Sequence, residues 1–305
     1  MKITVVGSSN NDMIIKAPRL PVPGETVLGG SFTSALGGKG ANQAVAAARV
    51  GGDVTFIGRI GNDVFGEQAL KGLKNDGINI SHVVKDPLVS SGVAQIVVDE
   101  EGKNLVAVAP GANQNLCEQD IINARKAILA SDMILIQLEI PIQTVRFASK
   151  LAFENNIRVI LNPAPAHPLD DELLGYISVL TPNKLEAESL TGISITDERS
   201  VELAGRILLE HGLARVIITL GAKGAMVIDN GGAEHVPTFR IKSVDTTAAS
   251  DVFNGALAVA LAEGKNFYES VRFANAAAAL SATRLGAQPS IPRREEVMEM
   301  LRKNP

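Results

Sequence analysis

Met133-Ile134-Leu135-Ile136-Gln137-Leu138 is a short, mostly apolar run closed by Glu139, and Arg158-Val159-Ile160-Leu161-Asn162 repeats its form. Runs this short and this apolar read as buried strands, and helix-period stretches at about 118–130 and 143–155 precede each of them. The strand Ile177–Leu180, a helix over about 199–212 and the strand Arg215–Leu220 continue the rhythm. Strand and helix in alternation imply a parallel sheet with right-handed crossovers. Ligands of such sheets sit beyond the carboxyl ends of the strands. The polar residues there are Glu139, Asn162, Asn183 and Thr219-Leu220-Gly221.

Composition agrees with an α/β core. The 305 residues are 46% hydrophobic, Trp is absent and aromatics reach only 4%. The net charge of -4 is spread without a basic block, which argues against a nucleic-acid partner. A single cysteine, Cys117, excludes an internal disulfide and fits a reducing compartment. Met1-Lys2 leads directly into the strand Ile3–Val6, and no apolar run is long enough to cross a membrane. A soluble cytoplasmic protein is expected.

Ile3–Val6 runs into Gly7-Ser8-Ser9, with Asn10 and Asp12 just beyond on alternate residues. In extended backbone the pair points one way, able to bond vicinal hydroxyls; an Asx turn is the other reading. Residues 14–37 and 92–109 break the rhythm with Pro-, Gly- and strand-like segments, the second a hairpin turned at Glu100-Glu101-Gly102. The two excursions are expected to pair into one small sheet over the site.

Gly37-Gly38-Lys39-Gly40-Ala41-Asn42-Gln43 opens an Ala-rich helix. It is not a P-loop, since Gly40 replaces the magnesium-holding Ser/Thr and Thr33 the first glycine. The glycines allow close approach of a ligand, and Asn42 faces the same side as Lys39; a plain Gly-rich turn with a solvated lysine is the alternative. Asn183 and Glu186 lie one turn apart at a helix start, either as a capping box or as organisers of water around a magnesium–phosphate complex. Gly221-Ala222-Lys223-Gly224 is a tight turn, a seat for part of a nucleotide or simply a hairpin. The C-terminal part is helical, at 251–263, about 268–284 and from Arg293.

Val244-Asp245-Thr246-Thr247-Ala248-Ala249-Ser250-Asp251 feeds the helix at 251 through small residues. The first amides of a helix lack partners and its dipole favours anions. A carboxylate beside such an anion seat either stabilises the helix end or abstracts a proton. Other chemistries lack their parts: four scattered histidines make no metal spacing, and neither a G-x-S-x-G elbow nor a dinucleotide fingerprint occurs.

Eight segments, in order, resemble the ribokinase branch of the carbohydrate-kinase family over essentially the whole chain. They are Gly7–Asp12, Pro23-Gly24-Glu25-Thr26, Gly37–Ala44, Gln137-Leu138-Glu139, Asn162-Pro163-Ala164-Pro165-Ala166, Thr181-Pro182-Asn183, Thr219-Leu220-Gly221 and Asp245–Gly255. The resemblance implies a three-layer α/β/α core with a mostly parallel sheet (1–13, 38–91 and 110–305) and a β lid (14–37 and 92–109) that doubles as a homodimer interface. It implies ATP-dependent phosphorylation of the 5-hydroxyl of D-ribose. Asn10, Asp12, Gly38, Lys39, Asn42, Glu139 and Asp251 would hold the sugar, with Asp251 as general base. The backbone of Ala248, Ala249 and Ser250 would form the anion hole. Asn183, Thr219, Gly221, Gly224, Ser250 and Asn275 would surround ATP. Asn183 and Glu186 would hold magnesium through water, and Asp245, Thr247, Ser281, Arg284, Gly286 and Ser290 would form a potassium site.

The family usually writes Gly-Ala-Gly-Asp where this chain has Ala248-Ala249-Ser250-Asp251. If position 250 uses left-handed backbone, Ser costs roughly 1–2 kcal/mol there. Its Cβ would also crowd the γ-phosphate, unless its hydroxyl adds a donor. Turnover lowered by about one to three orders of magnitude is expected. Asn275 stands where His is common. Deoxyribose, another pentose, a nucleoside and a weakened or non-catalytic ribose sensor are the alternatives.

Overall fold

The computed structural model describes residues 1–304. The chain begins β1 (Lys2–Val6), β2 (Asn10–Lys16), β3 (Ser31–Gly37), α1 (Lys39–Arg49), β4 (Asp53–Gly61), α2 (Val64–Asn75), β5 (Asn79–Asp86), β6 (Gly92–Val98) and β7 (Asn104–Ala109). It continues α3 (Glu118–Asn123), α4 (Arg125–Leu129), β8 (Met133–Ile136), α5 (Ile142–Phe153), β9 (Arg158–Leu161), α6 (Asp171–Leu174) and β10 (Val179–Leu180). Then come α7 (Lys184–Thr191), α8 (Glu198–Glu210), β11 (Arg215–Thr219), β12 (Ala225–Asp229) and β13 (Gly232–Val236). Three helices close it: α9 (Ala249–Ala262), α10 (Phe267–Ser281) and α11 (Arg294–Lys303).

The large sheet has the order β13-β12-β11-β10-β9-β8-β1-β4-β5. From β5 to β11 every pairing is parallel, while β12 and β13 add an antiparallel edge. Alternate residues of each strand feed opposite faces. Ile3, Val5, Phe56, Met133 and Leu135 pack with α1, α9 and α10 on one side. Val6, Ile57, Ile134 and Ile136 pack with α3, α5 and α8 on the other. The result is three layers. From β1 the chain moves outward to β4 and β5, then returns to the other side of β1 for β8 and moves outward again to β9, so the crevice beyond the β1 and β8 ends is the switch point.

The two excursions pair as expected. β2 and β6 run parallel from Asn10↔Gly92 to Lys16↔Val98, and β3 and β7 flank them antiparallel. This second sheet begins at Asn10, earlier than residue 14, so Asn10 and Asp12 lie on its first strand. Other limits also differ. The expected helix 118–130 is two short helices meeting at Ala124, where the backbone tightens (φ −90°, ψ 1°), and β10 keeps only two residues.

On one face the helices are rich in alanine, and they approach closely. A Cβ added to Gly255 of α9 would sit 2.6 Å from both the Ala46 Cβ and the Gln43 carbonyl of α1. That contact packs the N-terminal halves of α1 and α9 against each other.

Candidate active site

Asp251 lies in the first turn of α9 and is only 3% exposed. Asn42 Nδ2 donates to its Oδ2 and Gln43 Nε2 to its Oδ1, each at 3.0 Å. Burial raises its pKa above the ordinary carboxylate value, against the pull of Lys39 and the two amides. A carboxylate shifted upward is a stronger base than a solvated one.

The turn before it is strained at one point. Ala248 is left-handed (φ 60°, ψ 6°), whereas Ala249 and Ser250 already belong to the right-handed helix. The backbone penalty expected at Ser250 is therefore absent there, and a cost of about 1 kcal/mol falls on Ala248. No side chain caps this helix start. Ala249 N–H bonds to Thr246 O at 3.1 Å, and the N–H groups of Ser250 and Asp251 have no partner among the described residues.

The crevice at the β1 and β8 ends gathers the polyhydroxyl candidates. Glu139 accepts from Ser8 Oγ at 2.5 Å and from Lys39 N at 3.0 Å. Gly38, N-cap of α1, is left-handed (φ 87°), and a Cβ there would meet Asn10 N at 2.6 Å. Only glycine fits at this point, since any side chain would collide with the Ser9-Asn10 backbone. Asn42 Oδ1 is buried without a partner among the described residues. Asp12 has its pKa raised to about 6 by burial, Glu139 and Asp251. Lys39 is the compensating cation. Burial lowers its pKa, but Asp251, Glu139 and Glu186 together raise it.

Next to the α9 start lies a cavity of about 760 Å³. Asn183, Thr219, Gly221, Gly224, Ser250 and Asn275 all line it, as do Phe239 and Phe253. Asn275 is tied by its Nδ2 to the carbonyls of Val236 (3.1 Å) and Pro237 (3.3 Å). Apolar walls with a few polar groups suit a flat ring system bearing a charged tail.

Asn183 and Glu186 form a reciprocal capping box, Asn183 Oδ1 accepting from Glu186 N at 2.9 Å and Glu186 Oε2 from Asn183 N at 2.8 Å. Glu186 Oε1 has no partner among the described residues, and burial raises the group's pKa against the Asn183 N–H and Lys39. Among the described residues no three acidic, histidine or cysteine side chains gather as a metal cage. One free carboxylate oxygen fits a cation that keeps most of its waters.

Asp245 staples two segments, its Oδ1 accepting from Thr247 N at 2.9 Å and its Oδ2 from Gly286 N at 2.8 Å. Burial opposes its ionisation, but these bonds together hold its pKa low. Of the remaining candidates for a monovalent ion, the Ser281 and Ser290 hydroxyls donate to carbonyls at 2.8 Å, keeping lone pairs free. The Arg284 guanidinium is instead committed to Glu296, so that residue can offer only its backbone carbonyl.

Three residues here carried no role in the sequence reading. Gln43 and Gln137 form a chain behind Asp251, and Asn113 holds the Ser9-Asn10 backbone and the Asn10 side chain. A buried amide in an alanine-rich helix was the available signal for Gln43. Asn113, in the loop after β7, offered none.

Residues 1–294 match the model of the pfkB family carbohydrate kinases. Over 299 residues the chain is 44% identical to a ribokinase of Haemophilus influenzae, covering 98% of each. A solved ribokinase of Thermotoga maritima superposes with a TM-score of 0.91 at 42% identity over 99% of each chain. The ribokinase of Arabidopsis thaliana, solved with ribose and ATP, gives 0.92 at 31% identity over 98% of each. Fold and site thus define a phosphotransferase whose acceptor is a sugar hydroxyl. The chain belongs to the pfkB family of carbohydrate kinases.

Proposed function

We propose that this protein transfers the γ-phosphoryl group of ATP to the primary 5-hydroxyl of D-ribose. The observation that carries the reading is the buried carboxylate of Asp251, gripped by two amides in a helix turn that borders the large cavity. Asp251 takes the hydroxyl proton as the oxygen attacks in line. The open N–H groups of Ser250 and Asp251 receive the charge gathering on the equatorial oxygens. Asn10, Asp12, Lys39, Asn42 and Glu139, all polar, hold the other hydroxyls, with Asn42 Oδ1 an acceptor waiting for one. Ring-stacking aromatics are missing from that set, which disfavours a nucleoside acceptor.

Asn183, Thr219, Gly221, Gly224, Ser250 and Asn275 seat the nucleotide. Magnesium, when bound, offsets phosphate charge, and Glu186 Oε1 with Asn183 would hold its waters. The staple of Asp245 to Thr247 and Gly286, with Ser281, Ser290 and the Arg284 carbonyl, suits a potassium ion that keeps the anion loop in shape. The small sheet acts as the lid. Exposed apolar side chains stand on it, Ile15, Phe32 and Leu105 in one cross-strand row and Val106 and Val108 on the opposite face, and the first row suits a second copy of the chain. Among the described residues no helix is long and apolar enough to cross a membrane, in keeping with a cytoplasmic site of action.

The test is ADP release coupled to a panel of pentoses, with wild type and Asp251→Asn. Turnover is expected with ribose, and the substitution should remove at least about 10²-fold of it. Undiminished turnover in the variant would sink the reading. Preference for deoxyribose or a nucleoside would replace the acceptor, and binding without turnover in wild type would make the protein a sensor.

A further inference from the structure

Gln43 has no exposed surface and lines neither the cavity nor the hydroxyl-binding crevice, yet it touches Asp251. Its Nε2 donates to Asp251 Oδ1 at 3.0 Å and to Asn162 Oδ1 at 3.1 Å, and its Oε1 accepts from Gln137 Nε2 at 2.6 Å. Asn162 donates its own Nδ2 to the Thr181 carbonyl at 3.1 Å. The direction of the chain is thereby set. With its N–H2 spent on a carbonyl, Asn162 must turn its oxygen to Gln43, so Gln43 must present its N–H2 to both acceptors. Gln137 then caps the remaining oxygen.

We infer that Gln43 is a positioning residue of the phosphoryl-transfer reaction, pinning the back oxygen of Asp251 through an all-amide chain so that this carboxylate exchanges its proton only with the substrate. The inference rests on the reading of Asp251 as base. Asn42 and Gln43, successive residues of α1, each take one carboxylate oxygen and so fix its plane. Amide N–H groups hold an anion without giving up a proton. The titratable groups around Asp251 are Lys39 on α1, Asp12 on β2, Glu139 after β8 and Glu186 on α7. None of them bonds to Gln43, Asn162 or Gln137. Proton traffic behind the base is thus closed.

Removing the Gln43 donor frees the carboxylate to rotate and strengthens its hold on a proton. Packing alone predicts otherwise, a loss of stability with turnover kept. The experiment measures kcat, KM for ribose and the pH dependence of kcat/KM for wild type, Gln43→Met and Asp251→Asn, with ribose affinity by calorimetry as the check on folding. For Gln43→Met, kcat is expected to fall about 10- to 100-fold. KM should stay within about threefold, and the acid limb should move up by about one pH unit. An unchanged kcat and acid limb in Gln43→Met, with Asp251→Asn inactive, overturns the role of Gln43 and leaves the base intact. Full turnover in Asp251→Asn overturns both. Should Gln43→Met fail to bind ribose, Gln43→Glu keeps the shape and carries the same test. A raised acid limb with lowered kcat supports the inference, and wild-type values for both overturn it.

Discussion

Asn113 Nδ2 donates to Asn10 Oδ1 at 2.8 Å, so the Asn10 side chain spends its oxygen there and turns its N–H2 end away. The same side chain accepts from Ser9 N at 2.9 Å and donates to Ser9 O at 3.2 Å. Asn113 therefore decides that Asn10 is a donor, beside the acceptors Asp12 and Glu139.

Asn113→Ala removes this decision and leaves buried groups unpaired, at about 1–3 kcal/mol of stability. KM for ribose should rise by roughly tenfold or more, since each 1.4 kcal/mol of lost binding is about a factor of ten. The kcat value should change little. Steady-state kinetics with a denaturation curve read both effects.

The Asp12 carboxyl, at about 6, binds its proton more tightly in the folded chain than at the ordinary 3.8. The sign follows: folded stability grows as pH falls from 8 through 6, and the gain is complete below 3.8. Asp251 and Glu186 act in the same direction. Urea midpoints between pH 8 and 5 should climb in wild type, and less steeply in Asp12→Asn. A parallel climb in both proteins would remove Asp12 from this account.

Ser250 and Ala248 exchange the roles expected of them. Because Ser250 is helical, Ser250→Gly should lower stability by roughly 0.5–1 kcal/mol, the usual helix cost of glycine. It should raise turnover no more than a few-fold, unless the Ser250 side chain crowds the phosphate. Ala248→Gly removes the left-handed strain and should stabilise by about 1 kcal/mol. Thermal melts of the two single variants, which should move in opposite directions, check the assignment.

Gly255→Ala drives a methyl into Ala46 and the Gln43 carbonyl. Overpacking of this kind costs about 1–3 kcal/mol. Because the displaced segment carries Asn42 and Gln43, kcat should fall as well. A variant destabilised but fully active would show that α1 and Asp251 adjust together.

Much of this was legible from residue types. The runs at 133–138 and 158–162 announce a parallel sheet because strands buried on both faces leave no alternation to misread. The 245–255 segment offered two readings, an anion seat or a carboxylate that stabilises a helix end, and residue types alone did not choose between them. Other features were hidden because they depend on contacts distant in sequence. Gln43 acquires its meaning only against Asp251, 208 residues away, and Asn113 only against Ser9 and Asn10. The left-handed residue at 248 was misplaced for a different reason. Four small residues in a row do not reveal which of them turns.

β2 belongs to the outer sheet, yet it carries Asn10 and Asp12 at its root. A tilt of that sheet would carry both side chains with it. Under the proposed function, arrival of the acceptor and sealing of the crevice become one mechanical event, and an empty crevice would have nothing to pull the cover shut over a bound nucleotide.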